Sequence, residues 1–526
     1  MPAAASTLTT VVLVTAITTA LLGVQWKYLS RGPQSCVTAG SETQHTGYFE
    51  YECAGKPHHS SWETWFHPER LLGHGSGQNA GITTNDWNIL YHLGGNGPWI
   101  EKLQDVVDGG IALPDGCEVE QVHMMSRHAE RYPTLKTGTR MKHLLERLKQ
   151  SKVEFKGDFS FVKDWELFWS DDTQLAQLTS TGPFSGTLGA FTTGVRLRTR
   201  YQHLIPKTQH TTFWASDSQR VIDTGKYFAA GFFGLDWPSL SSLQVIPETS
   251  DLGADTLTPG DTCTNYISDT TEGWAKGWKS LHAYRATYFP SIRARLLSQN
   301  PGLNYTDDEL YAMQELCGFE TTVRGSSPWC HVFTRSDFLS FEYARDVHHY
   351  YRAGPGTPYG AGMGFLWLNA TKNLMMKLDA SARHGVGEAG RKQADKVGRL
   401  FFSFVHDDDA APMLAALDIM TPAEHLPLTH IPEDAHRTWR KSQVSPMGGR
   451  TIFELMKCGG GGKRFVRVNI NDGVTALPGC DSGPGRSCPL ELFDERVRKK
   501  GEVVGSFREM CGLGNDSAER ITFLHQ

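Results

Sequence analysis

The clearest pattern along the chain is a unit that occurs three times: a short apolar run, an abrupt polar break, and then apolar positions at helical spacing. Val119, Val122 and Met124 lead an extended run that stops at Arg127, after which Met141, Leu144, Leu145 and Leu148 share one face of a helix predicted over residues 137–150. Residues 211–215 are followed by Asp217 and a helix through Val221, Phe228 and Phe232, and residues 400–405 by His406 and a helix through Met413 and Leu417. Repeated strand-to-helix units predict an α/β sheet flanked by helices. Ligands of such sheets bind beyond the carboxyl ends of the strands, so three breaks far apart in sequence become candidates for a single cleft.

Between these units the pattern changes. Residues 151–205 and 264–390 carry helical periodicity, including the segment around Asp307 and Glu315, with few strand signals. They predict a mainly helical lobe inserted into an α/β domain built from residues 111–150, 206–263 and 391–526. Residues 31–110 are polar, aromatic and rich in Gly and His, with a turn at Gly94-Gly95-Asn96-Gly97-Pro98, and read as an irregular N-terminal arm. Residues 451–457 and 465–470 read as two strands joined by the glycine run Gly459 to Gly462. That run is not a nucleotide-binding loop, because Arg464 stands where a Ser or Thr would have to bind magnesium.

Composition narrows the class. At 526 residues, 39% hydrophobic and 21% charged, the chain is neither disordered nor multispanning. Its net charge of −5 gives no general affinity for nucleic acid, so any bound anion needs a local basic cluster. An apolar run from about Val11 to Val24 makes residues 1–30 a signal peptide or a membrane anchor, the only membrane element expected. Three N-glycosylation sequons, at Asn304, Asn369 and Asn515, and ten cysteines without a CxxC suit the secretory lumen and favour disulfides over zinc. The expected location is therefore outside the cell or in the cell wall, with a single-pass anchored form as the alternative.

The segment Arg127-His128-Ala129-Glu130-Arg131-Tyr132-Pro133 ends the first predicted strand, and His406-Asp407 ends a later one. Together they resemble the RHGxRxP signature and distant His-Asp step of the histidine acid phosphatases. The turn at 91–98, Gly182-Pro183-Phe184-Ser185-Gly186, the helix from Ser216 to Gly234, residues 417–427 and Pro446-Met447-Gly448-Gly449 are similar to the branch of fungal secreted acid phosphatases and broad-specificity phytases. The resemblance implies a histidine-phosphatase-like sheet and hydrolysis of phosphate monoesters without metal or cofactor. His128 would be the nucleophile and Asp407 the proton donor, with Arg127, Arg131, Arg220 and His406 binding the phosphoryl oxygens. Guanidinium suits that task, because its planar fork grips two oxygens and stays charged. The partners implied are small phosphorylated substrates, inositol phosphates among them; self-association stays open. A different class of protein, a non-catalytic glycoprotein that binds phosphate esters, would keep the pocket without turnover.

The resemblance also implies the pairs Cys117–Cys458, Cys263–Cys511, Cys36–Cys53, Cys317–Cys330 and Cys480–Cys488. Three departures from the family pattern bear on function. Ala129 replaces the usual Gly and costs on the order of 1 kcal/mol if the backbone there needs a positive φ, and almost nothing otherwise. Glu130 places a negative charge in the motif, expected to disfavour phytate against small monoesters. Asp408 and Asp409 either cap the following helix or repel the charged form of Asp407 and keep it protonated to higher pH. The pairs His58-His59 and His348-His349 are expected on surfaces or in packing contacts.

Overall fold

A computed structural model of the chain describes residues 83–84, 87–206, 210–384 and 396–526. The leader over residues 1–30, the arm up to residue 82, the Cys36–Cys53 pair and His58-His59 lie outside the described residues. Among those described, no helix is long and apolar enough to cross a membrane.

The three apolar runs form strands, and their period of two divides the core. β1 (Cys117–Arg127), β2 (Thr211–Ser216), β3 (Ser241–Ile246) and β4 (Leu400–Val405) run parallel in the order β1-β4-β2-β3. β5 (Arg450–Cys458) pairs antiparallel on the other side of β1, followed by β6 (Lys463–Ile470), which also pairs β7 (Gly473–Thr475) and β8 (Cys488–Pro489). Val122, Met124, Phe402, Phe404 and Ile452 share one core with Leu197, Val221 and Phe228. Their alternating neighbours Met125, Phe401, Val405 and Phe453 join a larger core with Trp367, Met413 and Phe493. Strands buried on both faces account for near-continuous apolar runs such as Leu400–Val405.

The helix α1 (Leu135–Gln150) leaves the sheet and packs on a helical layer containing α4 (Ala275–Gln299), α5 (Asp307–Arg324) and α6 (Arg335–Ala353). Thr306 and Thr334 begin α5 and α6 with capping boxes, as expected where Glu309 and Asp337 follow three residues on. Two helices placed by periodicity in the inserted lobe lie instead against the sheet. α2 (Gly186–Tyr201) packs with α3 (Gln219–Phe233) over one face, and α7 (Gly360–His384) packs against α8 (Asp407–Ala416) and α9 (Leu490–Val504) on the other. Helical period alone carries no information about which body a helix covers. Glycine makes the first of these contacts possible: a Cβ on Gly231 would sit 1.9 Å from the Phe191 carbonyl oxygen.

The structure contains the disulfides Cys117–Cys458, Cys263–Cys511, Cys317–Cys330 and Cys480–Cys488. The first joins residues already opposite one another in the β1–β5 ladder. Of the three sequons, Asn304 and Asn515 are exposed, whereas Asn369 is half-buried inside α7 and its Thr371 fully buried.

Candidate active site

Register decides where the chemistry gathers. In the parallel pair β1–β4, Arg127 is the partner of Val405, so the residues that leave the two strands, His128 and His406, emerge side by side. The His128 amide donates to the Val405 carbonyl at 2.9 Å, and the two imidazole centroids are 5.8 Å apart. On the other flank the turn before β5 fastens the same loop, with Arg127 N donating to Gly449 O and Gly448 N to His128 O, both at 2.8 Å. β2 ends at Ser216, and Arg220 follows in the first turn of α3. Arg127, His128, Arg131, Arg220, His406 and Asp407 thus meet at one crest of the sheet.

His128 is almost fully buried. Its Nδ1 lies 2.9 Å from the Ala129 carbonyl, which can only accept, so the ring proton sits on Nδ1 and the lone pair on Nε2. Nε2 receives Arg131 Nε at 3.4 Å. Burial, followed by the charges of Arg127, Arg131 and Arg220, holds His128 well below its ordinary value, so the imidazole is neutral.

The guanidinium groups are clamped from behind. Arg127 Nη1 donates to the carbonyls of Gly95 and Ser445, each at 2.9 Å, and Arg131 Nη1 to that of Tyr132 at 2.9 Å. Burial and the like charges of Arg127 and Arg220 push Arg131 down to about 9, a strain that a bound anion would relieve. The buried Nε–H groups of Arg127 and Arg220 lack a hydrogen-bond partner in the described structure, leaving donors to spare.

His406 caps α8, and both its ring nitrogens are engaged: Nδ1 accepts from Arg220 Nη2 at 3.1 Å, and Nε2–H donates to Glu248 Oε1 at 2.8 Å. This ring is a link between Glu248 and Arg220 rather than the free donor expected from the motif. Asp407 is the first residue of α8, where the helix dipole favours a carboxylate. Its Oδ2 lies 2.6 Å from Lys441 Nζ and 3.4 Å from Arg127 Nη2. Burial pushes the carboxyl up, but Arg127 and Lys441 outweigh it and bring Asp407 well below the usual carboxylate range.

The departures from the motif are resolved by geometry. Ala129 is buried and is not among the residues of positive φ, so its methyl carries no backbone penalty. Asp409 caps the helix, accepting the His406 amide at 3.0 Å, and Asp408 pairs with Arg352. The expectation that this acidic pair keeps Asp407 protonated is corrected, since Asp407 is held low by its two cations. The buried pair His348-His349 is in packing contacts, tilted against Trp278 and Trp439 respectively.

Glu130 also departs from expectation. It turns away from the arginine cluster into the interior, where Oε1 accepts from the Trp99 amide at 2.8 Å and Gly189 approaches Oε2. It lines a largely apolar cavity of about 380 Å³ with Trp99, Ala129, Phe184, Phe228 and Phe404, behind the loop and apart from His128. Burial pushes its carboxyl up to about 7, so at acid pH it is neutral and cannot repel phytate. Because the folded state binds this proton more tightly than the unfolded chain, the contribution is favourable below the ordinary value of 4.5 and is lost as pH rises towards 7. Relative to Glu130→Gln, the wild type should lose up to about 3 kcal/mol of stability across that window. Thermal melts of both proteins from about pH 4 to 8 check this; parallel curves would refute it.

Lys441, Glu248 and the carbonyls of Gly95 and Ser445 went unrecognised in the sequence. Glu248 follows β3, whose Ser-Ser-Leu-Gln-Val-Ile has too few apolar positions to stand out as a strand, yet a fourth parallel strand end is where such a residue is to be sought. Lys441 begins a four-residue helix with no pattern of its own.

This geometry has close relatives. The chain is 33% identical over 448 residues to a phytase of Candida albicans, covering 84% of this chain and 90% of that one. It is 34% identical over 450 residues to an acid phosphatase of Komagataella pastoris, covering 83% and 89%. The crystal structure of the phytase from D. castellii superposes with a TM-score of 0.74 at 30% identity, covering 86% of this chain and 94% of that one. Residues 118–471 match the model of the histidine phosphatase superfamily (branch 2), and the chain belongs to that family.

Proposed function

We propose that this protein is a secreted acid phosphatase that hydrolyses phosphate monoesters through a phosphohistidine on His128. One observation carries the reading: a neutral imidazole, its proton committed to the Ala129 carbonyl, presents Nε2 beside the guanidinium groups of Arg127, Arg131 and Arg220. Those groups bind the phosphoryl oxygens, Nε2 attacks phosphorus, and Asp407 protonates the departing oxygen. Water, activated by Asp407, then cleaves the phosphoramidate. Residues of this chain suffice for each step, and the intact nucleophile and acid favour catalysis over a binding-only role. Four disulfides and the exposed sequons Asn304 and Asn515 support a secretory location.

The test is to quench turnover of a radiolabelled aryl phosphate in denaturant and map the label. It should survive alkali, be lost in acid, and reside on the peptide containing His128; label elsewhere, or none under single-turnover conditions, defeats the reading. The substrate class is small phosphorylated molecules, inositol phosphates among them, since relatives include enzymes named as phytases. With Glu130 turned inward, phytate stands beside small monoesters rather than behind them; kcat/KM on phytate and on an aryl phosphate ranks the two.

Glu248 is a positioning residue in this scheme. By fixing the His406 proton on Nε2, it leaves Nδ1 to orient Arg220. Glu248→Leu is expected to raise KM roughly tenfold with a smaller effect on kcat, and Glu248→Gln, which still accepts from Nε2–H, to restore most of it. Equal losses in the two variants would show that charge, not orientation, is what Glu248 supplies.

A further inference from the structure

A proton donor must hold a proton, yet Asp407 lies against two cations that favour its carboxylate. One of them can itself give up a proton. Lys441 is buried to 1% exposure, and its Nζ lies 2.6 Å from Asp407 Oδ2 and 2.8 Å from Ser445 Oγ. The other, Arg127, cannot deprotonate. Resting on the reading that Asp407 serves the leaving group, we propose that the proton is held by a Lys441–Asp407 pair, with Lys441 a positioning residue that acts through Asp407.

While His128 Nε2 forms its bond to phosphorus and the bond from phosphorus to the ester oxygen breaks, a proton passes from Lys441 Nζ to the Asp407 carboxylate and on to the departing alkoxide. Lys441 is left a neutral amine and Asp407 a carboxylate. When water attacks phosphorus, the electron pair of the N–P bond returns to Nε2, and the proton of the water returns through Asp407 to Lys441. The alkoxide is far more basic than an amine, so the transfer runs downhill. The charged and titratable groups around the pair are Arg127 from β1, Arg131 from the loop after it, Arg220 from α3, Asp408 from α8, and Arg345, His348, His349 and Arg352 from α6, with His349 Nε2 3.3 Å from the Asp407 carbonyl. Their balance, with burial dominant, pushes the Lys441 ammonium down to about 7, so the pair carries its proton throughout the acid range and loses it above.

Lys441→Arg separates this role from a plain ion pair, because guanidinium keeps the charge and withholds the proton. Asp407 would then be locked as a carboxylate. On an alkyl phosphate, kcat/KM should fall about 100-fold, and on p-nitrophenyl phosphate, whose leaving group needs no proton, only a few-fold. In Lys441→Met the carboxyl must hold its own proton, and the alkaline limb of kcat/KM should move to lower pH. An unchanged leaving-group dependence in Lys441→Arg, or an unmoved limb in Lys441→Met, overturns the proposal. Should neither variant fold, a proton inventory of wild-type kcat/KM on the alkyl phosphate decides: a bowed curve supports two protons in flight, a linear one refutes it. Phosphate trapping on the wild type keeps the outcomes apart, since labelled His128 with a linear inventory sinks the pair and leaves the nucleophile standing.

Discussion

Replacing His128 with alanine is expected to lower kcat on an aryl phosphate by roughly four orders of magnitude or more, while the protein keeps its fold and still binds phosphate. The asymmetry follows from what the residue touches. His128 is buried, and its side chain makes one hydrogen bond to the adjacent carbonyl and accepts one from Arg131, so truncation removes few contacts. The loop is held by its backbone, through Val405, Gly449 and the Gly448 amide, and by Thr224 Oγ1 accepting the Ala129 amide at 3.0 Å. The arginine cluster should remain in place and bind inorganic phosphate at least as well, with one bulky ring gone. Steady-state rates, isothermal titration with phosphate and a thermal melt read the three quantities; residual turnover within tenfold of wild type would move the nucleophile elsewhere.

Asp407→Asn carries the second-largest expected effect, and its signature is selectivity. On alkyl phosphates kcat/KM should fall by a factor of about 100 to 1,000, because an amide cannot deliver the proton that a poor leaving group requires. On p-nitrophenyl phosphate the loss should be a few-fold. The amide oxygen can still accept from Lys441, which limits structural damage and makes the variant a fair probe. A plot of log kcat/KM against leaving-group pKa should therefore be steeper for the variant than for the wild type. Parallel lines would exclude Asp407 as the donor.

Much of this arrangement is legible in the sequence alone. The period-two runs ending at Arg127 and Val405 located two strand ends, and a parallel sheet collects strand ends on one side, which is why the motif residues meet. What escaped has physical reasons. Glu130 sits one residue from an arginine and reads as its electrostatic neighbour, but side chains that leave a strand crest diverge, and this one points to Trp99. The net field on Asp407 depends on Lys441, 34 residues further on and beyond the end of α8, while the neighbouring Asp408 spends its charge on Arg352. Likewise α2 has the period of any amphipathic helix. Only the close approach allowed by Gly194 and Gly231 reveals that it lies on α3 and hence over the sheet.

The in-register pairing of β1 with β4 has a consequence for how the protein is made. His128 is translated well before the Val405 carbonyl that fixes its backbone, the Asp407 carboxylate beside it and the Gly449 turn on the opposite flank, all of which lie more than 270 residues further on. Non-local closures of this kind form late. A growing polypeptide that displays Arg127-His128 is thus a collection of unarranged side chains until Val405, Asp407 and Gly449 have followed and the strands have paired.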